Sequence, residues 1–474
     1  MSRAHRISIL LLVPVAASTQ WTLRASDQGG GAPSRPAFVA TDNGTYATLA
    51  APPRARVRPG ELIVAFRPPA DERSIDRALR QAGVTNARRG LFGARYLATV
   101  DPAVGTARAL ERLRSMDEVA YAEANGLLHK SAATTFTPND TRFNIQWNFK
   151  MVGAERMWGI QKGSPSVAVA VLDTGIAFED YFDPVTRQSF RKALDWAGTV
   201  FLQGYDFVNG DTHANDDEGH GTHVSSTVAQ ATNNSFSFAG LAFNCALMPV
   251  KVLDADGSGS YFDVAQGIDY AANFTKDGQK PVKVINLSLG GESSSQDVRQ
   301  AVDRAFANGV VIVAAAGNES KGTVDFPAAL ANVIAVGAVD ARKTLASYSN
   351  FGSQISVVAP GGECGRNDSA NAFGADCVWQ QGMNPDAVAQ GNFGQFVSLG
   401  IDGTSAAAPH VAALAALLIS QGITQPTAVR RAIEQTAERL GGAPAGGRND
   451  EYGNGLISPT RALSGLGFNQ GPDD

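Results

Sequence analysis

Cysteine is scarce in this chain of 474 residues, which carries three: Cys245, Cys364 and Cys377. Three cysteines cannot form the dense disulfide framework that holds small secreted domains together. Cys364 and Cys377 bracket a loop rich in Gly, Asn and Asp, and we expect them to pair. Cys245 precedes an apolar run and is expected to be a small buried residue. Stability must therefore come from a hydrophobic core, for which the chain is long enough.

Long hydrophobic runs are also missing beyond the start of the chain. The first residues are basic (Arg3, Arg6), an apolar run covers residues 7–15, and small residues follow. This layout indicates a signal peptide over residues 1–18. A buried or membrane helix is the alternative, but the run is shorter than the roughly 20 residues that a membrane span needs. We expect a secreted protein that has no membrane contact after signal removal.

Neither charge sign dominates the chain as a whole, but its two parts differ. Residues 51–130 carry 14 basic and 9 acidic residues, whereas residues 131–474 carry 22 basic and 34 acidic residues. An acidic body argues against nucleic acid as a partner. The charge difference also suggests a basic segment that rests on an acidic body. Residues 19–57 are predicted to be a Gly/Pro-rich linker, and residues 468–474 a frayed tail.

Short apolar runs alternate with helical patterns from Ser166 onward. The runs are "SVAVAVLD", "ALMPVKVLD", "VKVINLSLGG", "GVVIVAAAGN", "NVIAVGAVD" and "SVVAP", and the clearest helices are "DVRQAVDRAFANG" and "PTAVRRAIEQTAERLGG", each ending at Gly. Continuous apolar strands are typical of a buried parallel sheet. Residues 131–467 are therefore predicted to form a doubly wound α/β domain, whose site lies at the carboxyl ends of the strands.

Residues 58–130 read as a separate, smaller unit. Strand-like and helix-like segments alternate there: "ELIVAFRP", "DERSIDRALRQAG", "RYLATV", "TARALERLRSM" and "VAYAEAN". The pattern predicts a small α+β domain.

Three motifs at the ends of these elements carry chemistry: "VLDTGI" with Asp173, "GHGTHVSST" with His220, and "GTSAAAPHV" with Ser405. Each alone is weak, because a lone Asp, His or Ser usually serves a turn, the core or a helix cap. Together they follow the chain order Asp, His, Ser that the subtilisins use. The chain resembles a subtilisin-type serine protease, a subtilase with thermitase-like features, over residues 58–465.

The resemblance implies a catalytic role for four residues. Ser405 would attack the peptide carbonyl, His220 would take and return the proton, and Asp173 would orient His220. Asn318, in "AAAGNES", matches the asparagine that holds the oxyanion together with the backbone N–H of Ser405. A helix N-terminus suits that task, because its free N–H groups and positive dipole end face the developing charge.

The resemblance also places the substrate between two strand edges. One edge offers Gly257, Ser258 and Gly259, with Tyr261 beside a more distant subsite, and the other edge offers Ser288, Leu289 and Gly290. Main-chain pairing of this kind favours extended peptide and protein substrates. Asp325 would lie at the base of the pocket for the residue before the scissile bond, and Glu218 beside the next pocket. These carboxylates predict a preference for Lys or Arg, unless Asp325 lies on an exposed loop tip and is screened.

Residues 58–130 resemble the inhibitory, ferredoxin-like propeptide of subtilases, and the resemblance implies that the chain is a zymogen that processes itself. A permanent accessory domain is the alternative. The propeptide boundary falls near Lys130, so the mature protein would begin at Ser131.

Thermitase-like features predict a structural Ca²⁺. Its ligands would be the side chains of Asp140 and Asn234 and the carbonyls of Thr232, Phe236 and Phe238. These are the hard oxygen donors that calcium prefers. Asp180 or Asp183 could supply a further carboxylate, and an Asn-rich turn without metal is the alternative. A zinc site at His220 and His223 is disfavoured, because the spacing is three and no Glu follows as in His-Glu-x-x-His. His223 and His410 are expected to be structural.

Two other classes of protein compete with the protease hypothesis. One is a binding protein that kept the fold without catalysis. The other is a lipase or esterase, but the chain has no G-x-S-x-G motif and its Asp, His, Ser order differs from that of α/β-hydrolases. We expect a monomeric, secreted endopeptidase whose partners are its substrate and its own propeptide.

Overall fold

A computed structural model describes residues 57–90, 93–126, 135–365, 376–441 and 447–465, together with the backbone of three short strands, Leu10–Leu11, Phe38–Ala40 and Tyr46–Thr48. Leu10–Leu11 pairs antiparallel with Leu399 and Gly400. The chain divides into two compact units, Ser18–Ala132 and Ala133–Asp474 with Met1–Ala17. The rest of the predicted signal peptide and linker, the junction at Lys130, and the tail lie outside the described residues.

The smaller unit is an α+β domain, as its pattern predicts. Its elements are β1 Val57–Phe66, α1 Glu72–Gln81, β2 Val84–Arg89, β3 Arg95–Val100, α2 Thr106–Arg114 and β4 Val119–Gly126. The four strands form an antiparallel sheet in the order β2-β3-β1-β4, the ferredoxin-like arrangement. Both helices bury one apolar stripe: Ile75, Ala78 and Leu79 of α1, and Ala109 and Leu113 of α2.

Seven parallel strands form the central sheet of the larger unit. In chain order they are β5 Ala168–Asp173, β8 Tyr205–Asp206, β9 Ala246–Lys251, β10 Val282–Leu287, β11 Val311–Ala315, β12 Val333–Val339 and β13 Ile355–Pro360; β6 Tyr181–Phe182 and β7 Ser189–Phe190 form a separate hairpin. Within the sheet, the seven strands lie in the order β8-β9-β5-β10-β11-β12-β13. Every residue of β5, β9, β11, β12 and β13 is buried, which explains their unbroken apolar runs.

Helices and one further hairpin complete this unit. They are α3 Trp147–Met151, α4 Ala154–Trp158, α5 His220–Ala229, α6 Tyr261–Asn273, α7 Gln296–Ala307, β14 Val378–Met383, α8 Pro385–Val388, β15 Phe396–Ile401, α9 Thr404–Ser420, α10 Pro426–Thr436 and α11 Pro459–Ser464. The doubly wound α/β prediction is confirmed. One predicted boundary is wrong, since α10 stops at Thr436 and does not continue to Gly441. Cys364 and Cys377 are joined by a disulfide, and Cys245 is buried.

The helix α9 explains why an alanine-rich segment begins with polar residues. All but two of its seventeen residues are buried, because the helix packs against α5 and the central sheet. A helix that is apolar all round belongs in a core. Its N-terminal residues Thr404 and Ser405 reach the edge where the strands end, and this edge is where the site lies.

Candidate active site

Asp173 and His220 meet at the carboxyl end of the central sheet. Asp173 is the last residue of β5, and His220 is the first residue of α5. His220 Nδ1 donates a hydrogen bond of 2.7 Å to Asp173 Oδ1, which also accepts from the Thr174 amide at 2.8 Å. Asp173 is fully buried, whereas 22% of the His220 side chain is exposed. The carboxylate thus fixes the tautomer of the ring and leaves Nε2 for another partner.

Nearby carboxylates control the charge of His220. Burial alone would lower its pKa, but the charges of Asp173, Glu218 and Asp216 outweigh burial and raise the pKa to about 9. Glu218 also accepts a hydrogen bond of 2.7 Å from the His220 backbone amide. These charges therefore favour the imidazolium form, which His220 would take on accepting a proton.

Ser405 lies in the first turn of α9. The helix begins at Thr404, and the residue before it, Gly403, has φ of +149°. A Cβ on Gly403 would lie 2.9 Å from Ser405 Oγ and 3.6 Å from Asn318 Nδ2, so only glycine keeps this space open. Ser405 Oγ and the Asn318 amide nitrogen thus border the same small space.

Pro409 creates a local need that a neighbouring strand meets. Proline has no N–H, so the carbonyl of Ser405, four residues earlier, loses its normal helical donor. Ser288 Oγ donates to that carbonyl at 2.8 Å, and Asn286 Nδ2 donates to Ser288 Oγ at 2.9 Å. Side chains of β10 (Asn286) and of the residue after it (Ser288) therefore stabilise the first turn of α9.

The amide of Asn318 has a fixed orientation. Its Oδ1 accepts hydrogen bonds of 2.8 Å from both the backbone N–H and the hydroxyl of Thr404. With the oxygen held in this way, Nδ2 is the end that faces the space beside Ser405. The amide can therefore donate to a negative oxygen that forms there.

One cleft brings the predicted site residues together. His220, Asn318 and Ser405 line it, and so do all nine residues predicted to bind substrate: Gly257, Ser258, Gly259, Tyr261, Ser288, Leu289, Gly290, Asp325 and Glu218. The Tyr261 side chain connects the two edges of the cleft, since its hydroxyl donates a hydrogen bond of 2.8 Å to the carbonyl of Ser293. The cleft is open to both strand-edge segments, as an extended peptide requires.

Asp325 lies in this cleft and not on an exposed loop tip. Its residue is 8% exposed, and burial, aided by the charge of Glu319, raises its pKa to about 6. Glu319 also lines the cleft, and sequence reasoning missed it, although it directly follows Asn318. Five carboxylates line the cleft (Glu218, Asp256, Glu319, Asp325 and Asp402), and none of the described residues that line it is Lys or Arg. The cleft is electrostatically suited to cationic side chains.

His223 and His410 are buried, and both rings make hydrogen bonds to backbone carbonyls. His223 Nε2 donates to the carbonyls of Val378 at 3.1 Å and Leu399 at 3.3 Å, while His410 Nδ1 donates to the carbonyl of Ala406 at 3.0 Å. Burial lowers the pKa of His223 to about 3 and that of His410 to about 4. Both rings are neutral and hold elements that flank the catalytic cleft.

A second polar cluster surrounds Asn234. Its Nδ2 donates to Asp195 Oδ1 at 2.7 Å, and its Oδ1 accepts from the Phe236 amide at 3.0 Å. Asp140 is buried nearby: Oδ2 accepts from the Asn233 amide at 2.7 Å, and Oδ1 has no hydrogen-bond partner. Burial raises the pKa of both carboxyls, that of Asp195 to about 6, and the charge of Asp140 adds to the shift at Asp195.

The carboxylate beside Asn234 is Asp195, and neither Asp180 nor Asp183 lies there. Asp180 accepts from the Lys192 amide, and Asp183 binds Val185 and Thr186 in the β6–β7 hairpin. That hairpin takes up the loop after Asp173, so the cluster's carboxylate comes from later in the chain. Among the described residues, no three His, Cys, Asp or Glu side chains are grouped to hold a metal. A cation at this cluster would therefore depend on amide and carbonyl oxygens as well as on two carboxylates.

The geometry of this site agrees with the comparisons of the chain with known proteins. A family model, described as "Subtilase family", matches residues 164–455. The chain belongs to the subtilase family and is a subtilisin-like serine endopeptidase, a hydrolase.

Individual relatives extend the similarity beyond the family domain. The "Thermophilic serine proteinase" of Bacillus sp. (strain AK1) is 37% identical over 389 residues, which cover 81% of this chain and 83% of that protein. "Thermitase" of Thermoactinomyces vulgaris is 37% identical over 308 residues, 65% of this chain and 94% of that protein. The "Extracellular protease" of Xanthomonas campestris pv. campestris is 33% identical over 432 residues, 82% of this chain and 68% of that protein.

A solved structure shows the same fold. A protease from Pseudoalteromonas arctica PAMC 21717 superposes with a TM-score of 0.57 at 30% identity, covering 69% of this chain and 99% of that chain. No described helix is both long enough and apolar enough to span a membrane.

Proposed function

We propose that the chain is a secreted, self-processing endopeptidase in which Ser405 is the nucleophile, His220 the general base and Asp173 the residue that orients His220. The observation that carries this proposal is the 2.7 Å hydrogen bond between Asp173 and His220 in a cleft that Ser405 also lines. A serine hydroxyl is a poor nucleophile by itself and needs such a base.

The reaction proceeds in two halves. Ser405 Oγ attacks the peptide carbonyl carbon and gives its proton to His220, while the carbonyl oxygen becomes negative. The backbone N–H of Ser405 and Asn318 Nδ2 donate to that oxygen. His220 then protonates the leaving amine, the C–N bond breaks, and an acyl group remains on Ser405. Water repeats these steps to release the acid, and Asp173 stays ionised throughout.

Replacement of Ser405 tests this assignment. Ser405→Ala is expected to abolish hydrolysis of an unfolded protein substrate, while Ser420→Ala, at the other end of the same buried helix, retains it. Ser420 is a matched control because, within the described part of the chain, its hydroxyl contacts the Ala416 carbonyl and Cys245 and does not line the cleft. Full activity in Ser405→Ala with unchanged stability would contradict the assignment of the nucleophile.

The same cleft supports a preference for Lys or Arg before the scissile bond. Asp325 is buried at the pocket and Glu319 stands close enough to raise its pKa. Glu218 stands beside His220, where the preceding substrate residue would lie. A carboxylate that is partly removed from water attracts a cationic side chain and disfavours an acidic one. Cleavage sites mapped in an unfolded protein should therefore follow Lys or Arg, and Asp325→Gly should redistribute them; sites without such a bias would refute the preference.

Residues 58–130 are proposed to be an inhibitory propeptide, with residues 1–18 as a signal peptide and residues 19–57 as a linker. Three observations support this: the ferredoxin-like sheet order, the basic composition of residues 51–130, and the similarity to a protein named as extracellular. The mature domain would then cover residues 131–467. Cleavage after Lys130 would suit the acidic cleft.

The amino terminus of the secreted product tests the zymogen proposal. We expect it at Ser131 in the wild-type protein, whereas full-length Ser405→Ala should remain uncut after residue 130. Adding a trace of wild-type enzyme to the Ser405→Ala protein separates self-processing from cleavage by a host protease. A Ser405→Ala protein that matures at Ser131 without added enzyme would contradict self-processing.

We also propose a structural Ca²⁺ at the Asn234 cluster. Two buried carboxylates, Asp140 and Asp195, repel each other there, and Asp140 Oδ1 is buried without a partner, which a cation would remedy. Asp140, Asp195, the Asn234 oxygen and the carbonyls of Thr232, Phe236 and Phe238 would hold the ion. The ion would neutralise the cluster and tie the segment before α3 to the loop after α5, and it would take no part in peptide hydrolysis.

Chelation distinguishes a calcium site from a plain turn. EGTA should shorten the half-life of thermal inactivation, and Asp195→Asn should remove most of this effect. Asp183→Asn is the control, because the Asp183 carboxylate binds Val185 and Thr186 within the β6–β7 hairpin and not the Asn234 cluster. The same half-life with and without EGTA in the wild-type protein would refute the calcium proposal.

A further inference from the structure

A buried carboxylate outside the predicted site residues joins the two halves of the Asp173–His220 pair. Asp216 is fully buried, four residues before His220. Its Oδ1 accepts from Thr174 Oγ1 at 2.9 Å, from the Glu218 amide at 3.1 Å and from the Gly219 amide at 2.7 Å. Its Oδ2 accepts from the amide and hydroxyl of Thr222, at 2.9 and 2.6 Å. One side chain therefore accepts five hydrogen bonds.

These five donors belong to the segments that carry the catalytic pair. Thr174 directly follows Asp173, and its hydroxyl oxygen also accepts from the Gly221 amide at 2.9 Å. Thr222 in turn accepts, through its hydroxyl oxygen, from the Ala177 amide at 2.9 Å. The end of β5 and the start of α5 are thus tied to one carboxylate and to each other.

Asp216 also replaces the cap that α5 lacks. The residue before this helix is Gly219, which has no side chain, so the free amides of the first turn need another acceptor. Asp216 takes the Gly219 and Thr222 amides, and a negative charge there is favoured by the helix dipole. The contact is tight, since a Cβ on Gly221 would lie 2.1 Å from the carbonyl oxygen of Gly175.

We propose that Asp216 is a positioning residue of the active site, which holds His220 at the distance from Asp173 and Ser405 that proton transfer requires. This inference rests on the proposed triad. The carboxylate form is needed, because an amide at this position has one acceptor oxygen and would turn N–H groups toward N–H or O–H donors. Displacement of a catalytic group by about 1 Å can cost about 100-fold in rate.

The test compares Asp216→Asn with Asp340→Asn in the mature protein. Asp340 is also fully buried and also accepts from loop amides, those of Arg342 and Thr344, but it follows β12 and does not line the cleft. We expect Asp216→Asn to lower kcat about 10- to 100-fold with KM changed less than about threefold. Asp340→Asn should lower the melting temperature and leave kcat near the wild-type value.

The pH profile separates positioning from general destabilisation. The charges that raise the pKa of His220 are those of Asp173 on β5 and of Glu218 and Asp216 in the preceding segment. The neutral His223 lies on α5, and the Lys251–Asp217 ion pair lies on the neighbouring elements. Removing one negative charge should move the acidic limb of kcat/KM to lower pH in Asp216→Asn and not in Asp340→Asn. An unchanged kcat and limb in Asp216→Asn, or equal changes in the control, would overturn the proposal.

Two further measurements keep this test decisive. If Asp216→Asn does not fold, Thr174→Val removes a donor to Asp216 and the acceptor of the Gly221 amide, and a lowered kcat is again expected. The rate of Ser405 labelling by a fluorophosphonate distinguishes the two proposals: no labelling of wild type refutes the triad itself. Equal labelling rates in wild type and Asp216→Asn refute only the positioning role.

Discussion

The selectivity of this protease should itself depend on pH, because Asp325 titrates near neutrality. Burial, aided by the charges of Glu319 and Glu292 and opposed by that of Lys321, raises the pKa of Asp325 to about 6. Above that pH the carboxylate is charged and would attract a substrate lysine. Below it the acid is neutral and the attraction is lost.

The size of the effect follows from the interaction that is lost. A hydrogen bond to a charged group contributes about 1.5–3 kcal/mol, which corresponds to roughly 10- to 150-fold in kcat/KM. Between pH 8 and pH 5 the ionised fraction of a group with this pKa falls about tenfold. The preference for Lys over Phe should therefore fall about tenfold over this range.

The assay is a ratio, which removes the contribution of His220. Two extended peptides that differ only in Lys or Phe before the scissile bond are hydrolysed at each pH, and their kcat/KM values are divided. Ionisation of His220 affects both substrates alike and cancels, whereas ionisation of Asp325 in the free enzyme remains. Asp325→Asn, which keeps the shape, should give a lower ratio with no pH dependence. A ratio that is flat from pH 5 to pH 8 in the wild-type enzyme would refute this account of the pocket.

Three further predictions concern the rest of the site. Asn318→Ala should lower kcat about 10²- to 10³-fold, because the activation free energy rises by about 3–4 kcal/mol, with little change in KM; this magnitude was measured in subtilisin itself. A loss confined to KM would argue against an oxyanion role. Glu218→Gln should shift the acidic limb of kcat/KM to lower pH, because Glu218 raises the pKa of His220; an upward shift would contradict that. In EGTA the melting temperature should fall as pH rises from 4 to 7, since the pKa of Asp195 is higher in the folded protein than the ordinary value and its ionisation then disfavours folding, by up to about 3 kcal/mol. Calcium should abolish this fall, and a melting temperature that rises equally in both conditions would refute the linkage.

The strands of the core are the elements that sequence reasoning predicts best. The six apolar runs from "SVAVAVLD" to "SVVAP" all form strands of the central sheet, because both faces of each strand are covered and apolar residues dominate them. Several other strands are not predicted, and two of them escape prediction for the opposite reason. The residues Val84–Arg89 form the edge strand β2 with nearly every side chain exposed, and Tyr205–Asp206 is only two residues long. Neither segment carries a periodic apolar signal.

The residues of the site also differ in how well the sequence predicts them. Asp173, His220, Asn318 and Ser405 stand at the ends of predicted elements within distinctive motifs, so we could expect three of them to line one cleft and Asp173 to bind His220. Asp195 lies in a segment without periodicity beyond the β6–β7 hairpin, and its contact with Asn234 depends on how that insertion folds.

Asp216 could not be distinguished by sequence from its neighbours in "NDDEGH". Asp217 pairs with the buried Lys251, and Glu218 faces the cleft, whereas Asp216 alone turns toward Thr174 and Thr222. Which of three adjacent carboxylates does which task is a matter of backbone direction, and no pattern of residue types reports it.

The central claim is that Ser405 is a nucleophile activated by His220. Its most direct test is mass spectrometry of the mature protein after reaction with a fluorophosphonate, followed by peptide mapping. The account predicts one adduct, on the peptide that contains Ser405, and no adduct in the His220→Ala protein, which should retain its fold. An unmodified Ser405 in a folded mature protein, or modification that is equally fast in His220→Ala, would contradict it.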